Sequence, residues 1–152
     1  MLRPMIALPV PKPDILARRD SIIADLRRLV PGDGVIGEAI RLKPYETDGL
    51  SAYRQAPLAV VLPRTTEEVA QVLRYCHANG IRVVPRGAGT SLSGGALPLA
   101  DAVVIGLMRM NRIREINLAD RYAVVEAGVT NIGITKATAS STRPTPPPSS
   151  PA

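Results

Sequence analysis

Apolar residues along this chain fall into short blocks divided by turn residues, and the spacing inside each block distinguishes helices from strands. Over "DILARRDSIIADLRRLVPGDG", Leu16, Ile22, Ile23, Leu26 and Leu29 share one helical face, which predicts a helix capped by Asp14 and stopped by Pro31-Gly32. "RLKPYETDGLSAYRQAP" holds turn residues and no sustained period, so it reads as a loop whose Tyr45, Asp48 and Tyr53 either anchor the chain or face a ligand. "LAVVLP", from Leu58 to Pro63, has the length and composition of a buried strand, "RTTEEVAQVLRYCHANG" that of a helix, and "IRVVP" that of a second strand. In the helix Thr65 and Glu68 stand at capping-box spacing. Val69, Val72, Leu73 and Cys76 make its apolar face, and Gly80 is placed to end it in a left-handed turn.

Strand, helix and strand at this spacing predict a right-handed βαβ unit with the second strand returning in parallel beside the first. Further strands are expected around Val103 to Leu107 and Ala123 to Val129. Between them, Ile113 and Ile116 suit an edge strand followed by a turn at Asn117 to Asp120. The expected fold class is α+β: a small parallel βαβ sheet flanked by helices and leading into further strands, all in one mixed sheet. Residues 1–13 form a proline-rich lead and residues 14–137 the folded part. Residues 138–152, "TASSTRPTPPPSSPA", are a Ser/Thr/Pro tail expected to be disordered, because it has too little apolar surface to offset its ordering entropy.

Composition narrows the picture. The chain is 45% hydrophobic but has no Phe, no Trp and four Tyr, so its core must be aliphatic. The net charge of +6 comes from scattered arginines with no aromatic platform between them, which favours a solvated surface over a nucleic-acid site. The single cysteine, Cys76, excludes an internal disulfide and has no partners for a metal site, which points to the cytoplasm. Four prolines interrupt "MLRPMIALPVPKPD", so it does not read as a signal peptide, and no stretch reaches membrane-span length.

The chemistry-bearing stretch is "PRGAGTSLSGGALP", Pro85 to Pro98, which begins where the second strand ends. Open α/β sheets place ligands at the carboxyl ends of their strands. The dinucleotide fingerprint fails, because its third glycine position falls on Leu92; the Walker pattern fails, because Gly95 stands where lysine is required. What remains is a set of glycine-flanked amides from Gly87 to Gly95 able to curl into an anion-binding nest, with hydroxyls on Thr90, Ser91 and Ser93 as added donors. Without lysine, such a loop suits a cofactor's pyrophosphate held statically better than a triphosphate being cleaved. A glycine-rich connection with no ligand is the alternative.

The stretch from "PLAVVLPRTTEEVAQVLRYCHANGIRVVPRGAGTSLSGGALP" to "VVEAGVTNIGITKA" resembles the FAD-binding domain of the vanillyl-alcohol-oxidase, or PCMH-type, flavoproteins. Within them it is most similar to the FAD-linked subunit of glycolate oxidase and its D-lactate dehydrogenase relatives, over roughly Arg27 to Ala137. The resemblance implies that Arg86, Gly87, Ala88, Gly89, Thr90, Ser91, Ser93 and Gly94 wrap the pyrophosphate, with Pro63 near the adenine. Some relatives tether FAD through a histidine at the position of Thr90, so FAD here should be non-covalent; the only histidine, His77, should be exposed on its helix.

The implied reaction is oxidation of a 2-hydroxy acid, glycolate or D-lactate in type, with hydride transfer to the flavin. The implied partners are the other subunits of a glycolate oxidase-type complex, and the implied place is the cytoplasm or the inner face of its membrane. Because the resemblance stops near Ala137, the chain is expected to be truncated, with no assignable catalytic base and little turnover of its own. The alternatives are a non-catalytic relic or anion-binding module and, from the charge alone, a nucleic-acid-binding domain.

Overall fold

The computed structural model describes residues 8–141, which divide after Met110 into two compact units. In the first unit α1 spans Pro13–Ala17 and α2 spans Arg19–Leu29, so the single helix expected here is broken at Arg18. The Arg18 guanidinium reaches Asn79, and its carbonyl accepts from the Ser21 hydroxyl at 2.8 Å, a local bond that competes with regular helix. Asp14 is not the cap: Lys12 holds that position without a side-chain bond, and Pro13 supplies the pre-set φ of a first helical residue. The break also turns Ile15 into the core in place of Leu16, which is exposed.

β1 (Val35–Ile36) precedes the expected loop, α3 (Ala39–Leu42) runs into it, and a 3-10 turn over Lys43–Tyr45 follows. β2 (Ala59–Val61), α4 (Thr66–Ala78), β3 (Arg82–Arg86) and β4 (Ala102–Gly106) follow. Thr65 caps α4 by accepting from the Glu68 amide at 3.2 Å, while the Glu68 carboxylate accepts from Arg64 N at 2.7 Å, one residue earlier than a capping box requires. At the other end Gly80 has φ +65°, and Gly80 N→His77 O with Ile81 N→Cys76 O closes the helix in a Schellman turn. Of the expected apolar face, Val72 and Cys76 are fully buried, whereas Leu73 is exposed.

The sheet runs β1-β2-β4-β3, with β4 parallel to both β2 and β3 and β1 antiparallel to β2. The strands of the βαβ unit are therefore parallel as expected but not adjacent, since β4 lies between them. Burial explains the order: every residue of β4 is buried, whereas β3 carries Arg82 and an exposed Pro85 that has no N–H to donate, and such a strand belongs at an edge. Alternation divides the core in two. Ala59, Val61, Val103 and Ile105 pack against α1, α2 and α4, while Val60, Leu62 and Val104 pack with Ile36, Leu42 and Tyr45 on the opposite face. Tyr45 thus ties the segment after α3 to the sheet.

In the second unit β5 (Ile113–Asn117) and β6 (Tyr122–Val125) form their own antiparallel hairpin, correcting the expectation of one mixed sheet; β4 has neighbours on both sides and no free edge to offer. The turn falls at Asn117 to Asp120, where Asp120 N donates to Asn117 Oδ1 at 2.9 Å. α5 spans Asn131–Ser141, so Thr138 to Ser141, assigned to the tail on sequence, complete a helix; the rest of that tail lies outside the described residues.

Candidate functional site

The last rung between β3 and β4 is Leu107 N→Arg86 O at 3.0 Å, after which the strands part and the glycine loop begins. The loop therefore leaves the carboxyl end of a parallel strand. Gly89 and Gly94 have φ of +73° and +74°, the left-handed region that glycine enters without strain. Among the described residues, the amides of Gly87, Ala88, Gly89, Thr90 and Ser91 make no hydrogen bond, while Ser93 N donates to Ser91 Oγ at 3.3 Å and Ala96 N to Asp48 Oδ2 at 3.3 Å. Buried side-chain nitrogen and oxygen atoms among the described residues all have partners, so no buried side chain here is left with an unmet donor. A Cβ built on Gly87 would meet nothing within 4 Å. That position faces open space.

What holds the loop is the segment after the 3-10 turn. Arg86, 8% exposed, donates from Nη1 to Thr47 O at 2.7 Å and to Ala96 O at 3.5 Å, and its guanidinium lies 5.6 Å from the Tyr45 ring centre. Asp48, 6% exposed, accepts from Leu50 N at 2.9 Å through Oδ1 and from Ala96 N through Oδ2. Space is tight on this side of the loop. A Cβ on Gly49 would sit 2.7 Å from Thr90 O and 2.8 Å from Ser91 O, and one on Gly89 would sit 2.6 Å from Arg86 Cζ and 2.7 Å from Nε. One side of the loop is packed against Tyr45 to Leu50, and the Gly87 side is open.

Of the residues singled out on sequence, Arg86, Gly87, Ala88, Gly89, Thr90 and Ser91 make up the outgoing limb of the loop, with the Arg86 guanidinium packed against Gly89. Ser93 and Gly94 lie on the returning limb, where the Ser93 amide is already satisfied within the loop. Pro63 is fully buried after β2, and His77 is exposed on α4. Tyr45 and Asp48 serve the loop, and Tyr53 has only a local turn bond, Tyr53 N→Leu50 O at 3.3 Å. The role of Thr47 and Gly49 was missed; the Asp48-Gly49 pair, a turn signal, was the available clue.

The donor set fits a diphosphate. A nest of main-chain N–H groups carries partial positive charge without a mobile cation, and glycine lets oxygens approach the backbone closely. No three His, Cys, Asp or Glu among the described residues gather as metal ligands. A cavity of about 280 Å³ beside Ile116 and Tyr122 and another of about 310 Å³ beside Arg19 and Glu38 are not lined by loop residues.

Comparison with known proteins matches residues 57–151 to a family described as FAD binding domain. The chain is 47% identical over 121 residues to glycolate oxidase subunit GlcD of Escherichia coli K12, an alignment covering 80% of this chain and 24% of that protein. It is 36% identical over 106 residues to the mitochondrial D-2-hydroxyglutarate dehydrogenase of Bos taurus, covering 70% and 19%. Among solved structures, p-cresol methylhydroxylase with substrate bound superposes with a TM-score of 0.74 at 26% identity, covering 86% of this chain and 26% of that one. The chain spans a quarter or less of the length of these curated relatives.

Proposed function

Since the chain belongs to the family of FAD binding domains and FAD is its cofactor, we propose that it supplies the pyrophosphate cradle of an FAD-linked oxidoreductase acting on a 2-hydroxy acid. The observation that carries this reading is the run of unbonded amides from Gly87 to Ser91 at the carboxyl end of β3, with Gly89 at positive φ. These amides would donate to the phosphate oxygens, and the Thr90 hydroxyl would add a donor. Ser93 and Gly94 shape the return of the loop.

Bound there, FAD supplies a hydride acceptor for the carbon–hydrogen bond next to a hydroxyl. The chain's own residues orient that cofactor by its phosphates. The ionisable side chains built into the loop's base, Arg86 and Asp48, are buried and bonded to the backbone, so neither is offered as a catalytic base. The substrate class follows from GlcD and the D-2-hydroxyglutarate dehydrogenase, both named for hydroxy acids. Glycolate is favoured by the higher identity, and subunits like those accompanying GlcD are the proposed partners. The buried single thiol of Cys76 favours a cytoplasmic setting.

A titration tests the reading. The 152-residue chain should quench flavin fluorescence saturably, and Gly87→Val should abolish this without disturbing the ligand-free fold, because the new side chain enters open space. Equal affinity in the two proteins would remove this loop from the site. With threonine at position 90, all the flavin should be released when the protein is precipitated with acid; flavin retained in the pellet would contradict non-covalent binding.

A further inference from the structure

The two ends of the glycine loop are joined through one short segment that lies far away in sequence. Arg86 opens the loop and Ala96 closes it, ten residues on. Ala96 is gripped from both sides: its amide donates to Asp48 Oδ2 at 3.3 Å, and its carbonyl accepts from Arg86 Nη1 at 3.5 Å. The same Arg86 nitrogen donates to Thr47 O at 2.7 Å, next to Asp48 in the chain. Asp48 in turn is fixed by Leu50 N at 2.9 Å, and the guanidinium is held near the Tyr45 ring. Two buried groups of opposite charge thus meet at the neck of the loop without forming a direct ion pair; each is bonded to main chain.

Burying such groups is unfavourable unless each is hydrogen-bonded, and here every bond goes to the backbone that sets the loop's shape. A nest binds an anion well only if its amides already converge, since amides that must be ordered on binding lose affinity to that ordering. The neck supplies the constraint. With Ala96 free, the loop would keep its packing against Gly49 but lose the polar junction that fixes its returning limb to its β3 end.

We propose that Asp48 and Arg86 are positioning residues for the flavin pyrophosphate, closing the neck of the loop at Ala96 so that the amides of Gly87 to Ser91 are held in a converging arc before the cofactor arrives. This assignment rests on the flavin reading above. Asp48 suits the task because its two oxygens accept from two different amides. Asparagine offers one acceptor and sets an NH2 against the second amide, so it preserves half of the junction.

The test compares Asp48→Ala, Asp48→Asn and Gly87→Val in the full chain, using FAD as the titrant. Asp48→Ala should weaken FAD binding by about tenfold or more, the effect of reordering one or two loop residues, and Asp48→Asn should fall between it and the parent. Hydrogen exchange followed by NMR on the ligand-free proteins supplies a second reading. The Ala96 amide should lose protection in Asp48→Ala, while the amides of Val103 to Ile105 in β4 keep theirs. Protection lost throughout the sheet would mark Asp48 as a general stabiliser and overturn the proposal. If Asp48→Ala does not fold, Asp48→Asn must still show a weakened affinity and a less protected Ala96 amide, and parental values for both would overturn it. Parental FAD affinity in Asp48→Ala beside lost affinity in Gly87→Val would refute the positioning role and leave the cradle standing. Parental affinity in both would refute the cradle itself.

Discussion

Replacing Gly89 with alanine should be among the costlier single-methyl additions to this chain. The φ of +73° is open to glycine but strained for alanine, at about 1–2 kcal/mol. The added Cβ would also stand 2.6 Å from Arg86 Cζ and 2.7 Å from Nε, with Nη2 closer still, so the guanidinium must move. Arg86 is pinned by Thr47 O at 2.7 Å, and giving up that charge-assisted bond costs about 1.5–3 kcal/mol. The total is about 2.5–5 kcal/mol. Urea unfolding followed by far-UV circular dichroism measures it without any ligand. A second protein separates the two contributions: in an Arg86→Ala background the clash is gone, so Gly89→Ala should cost only the backbone part, about 1–2 kcal/mol. A Gly89→Ala protein within about 0.5 kcal/mol of the parent, or one equally destabilised in both backgrounds, would refute this account of the loop's base.

Alkaline pH should destabilise the fold from within α4. Burial raises the Cys76 thiol from 9.0 to about 11, and burial followed by the bond to Asp25 raises the neighbouring Tyr75 hydroxyl from 10.0 to about 12. Each group is held neutral in the folded state, so its contribution is intact below the unfolded value and is lost as pH climbs toward the folded one. Stability should therefore fall between about pH 9 and 12, and Cys76→Ala should flatten the portion below about 11; a parallel curve would contradict the assignment. At the acid end, Glu126 is lowered chiefly by the Arg112 amide, then by its bond to Arg114, so its contribution is present above 4.5 and fades as pH drops below it. Glu126→Gln should show a shallower acid loss in the hairpin's exchange rates, and an unchanged slope would count against that pairing. Thr65→Ala removes the cap bond to the Glu68 amide and should cost about 1 kcal/mol in urea unfolding, with a value near zero showing that the cap is dispensable.

β2, β3, β4 and α4 were legible because each is a local matter: valine, isoleucine and leucine runs of strand length, a capping threonine, a terminal glycine. The strand order was not. Placing β4 between β2 and β3 depends on the whole of β4 being buried while Pro85 unsuits β3 for the interior, a comparison between distant segments. The break at Arg18 had no breaker residue to announce it; it follows from contacts with Asn79, 61 residues away. At the site, the glycine arc was readable as backbone chemistry, but its anchorage was not. Asp48 could be seen only as a loop residue of two possible uses, because its bond to Ala96 spans 48 positions. Arg86, grouped with the cofactor-binding residues on sequence, turns its side chain into the base of the loop, a direction that alternation along β3 alone does not reveal.

The central claim concerns the open amides between β3 and the returning limb of the loop. Adding FAD to the 15N-labelled chain and following its amide resonances tests it most directly. The account predicts that the signals of Gly87 to Ser91 move saturably, their protons shifting as they acquire phosphate acceptors, while those of β4 stay in place. Saturable binding that shifts resonances elsewhere and leaves those five unmoved would contradict it.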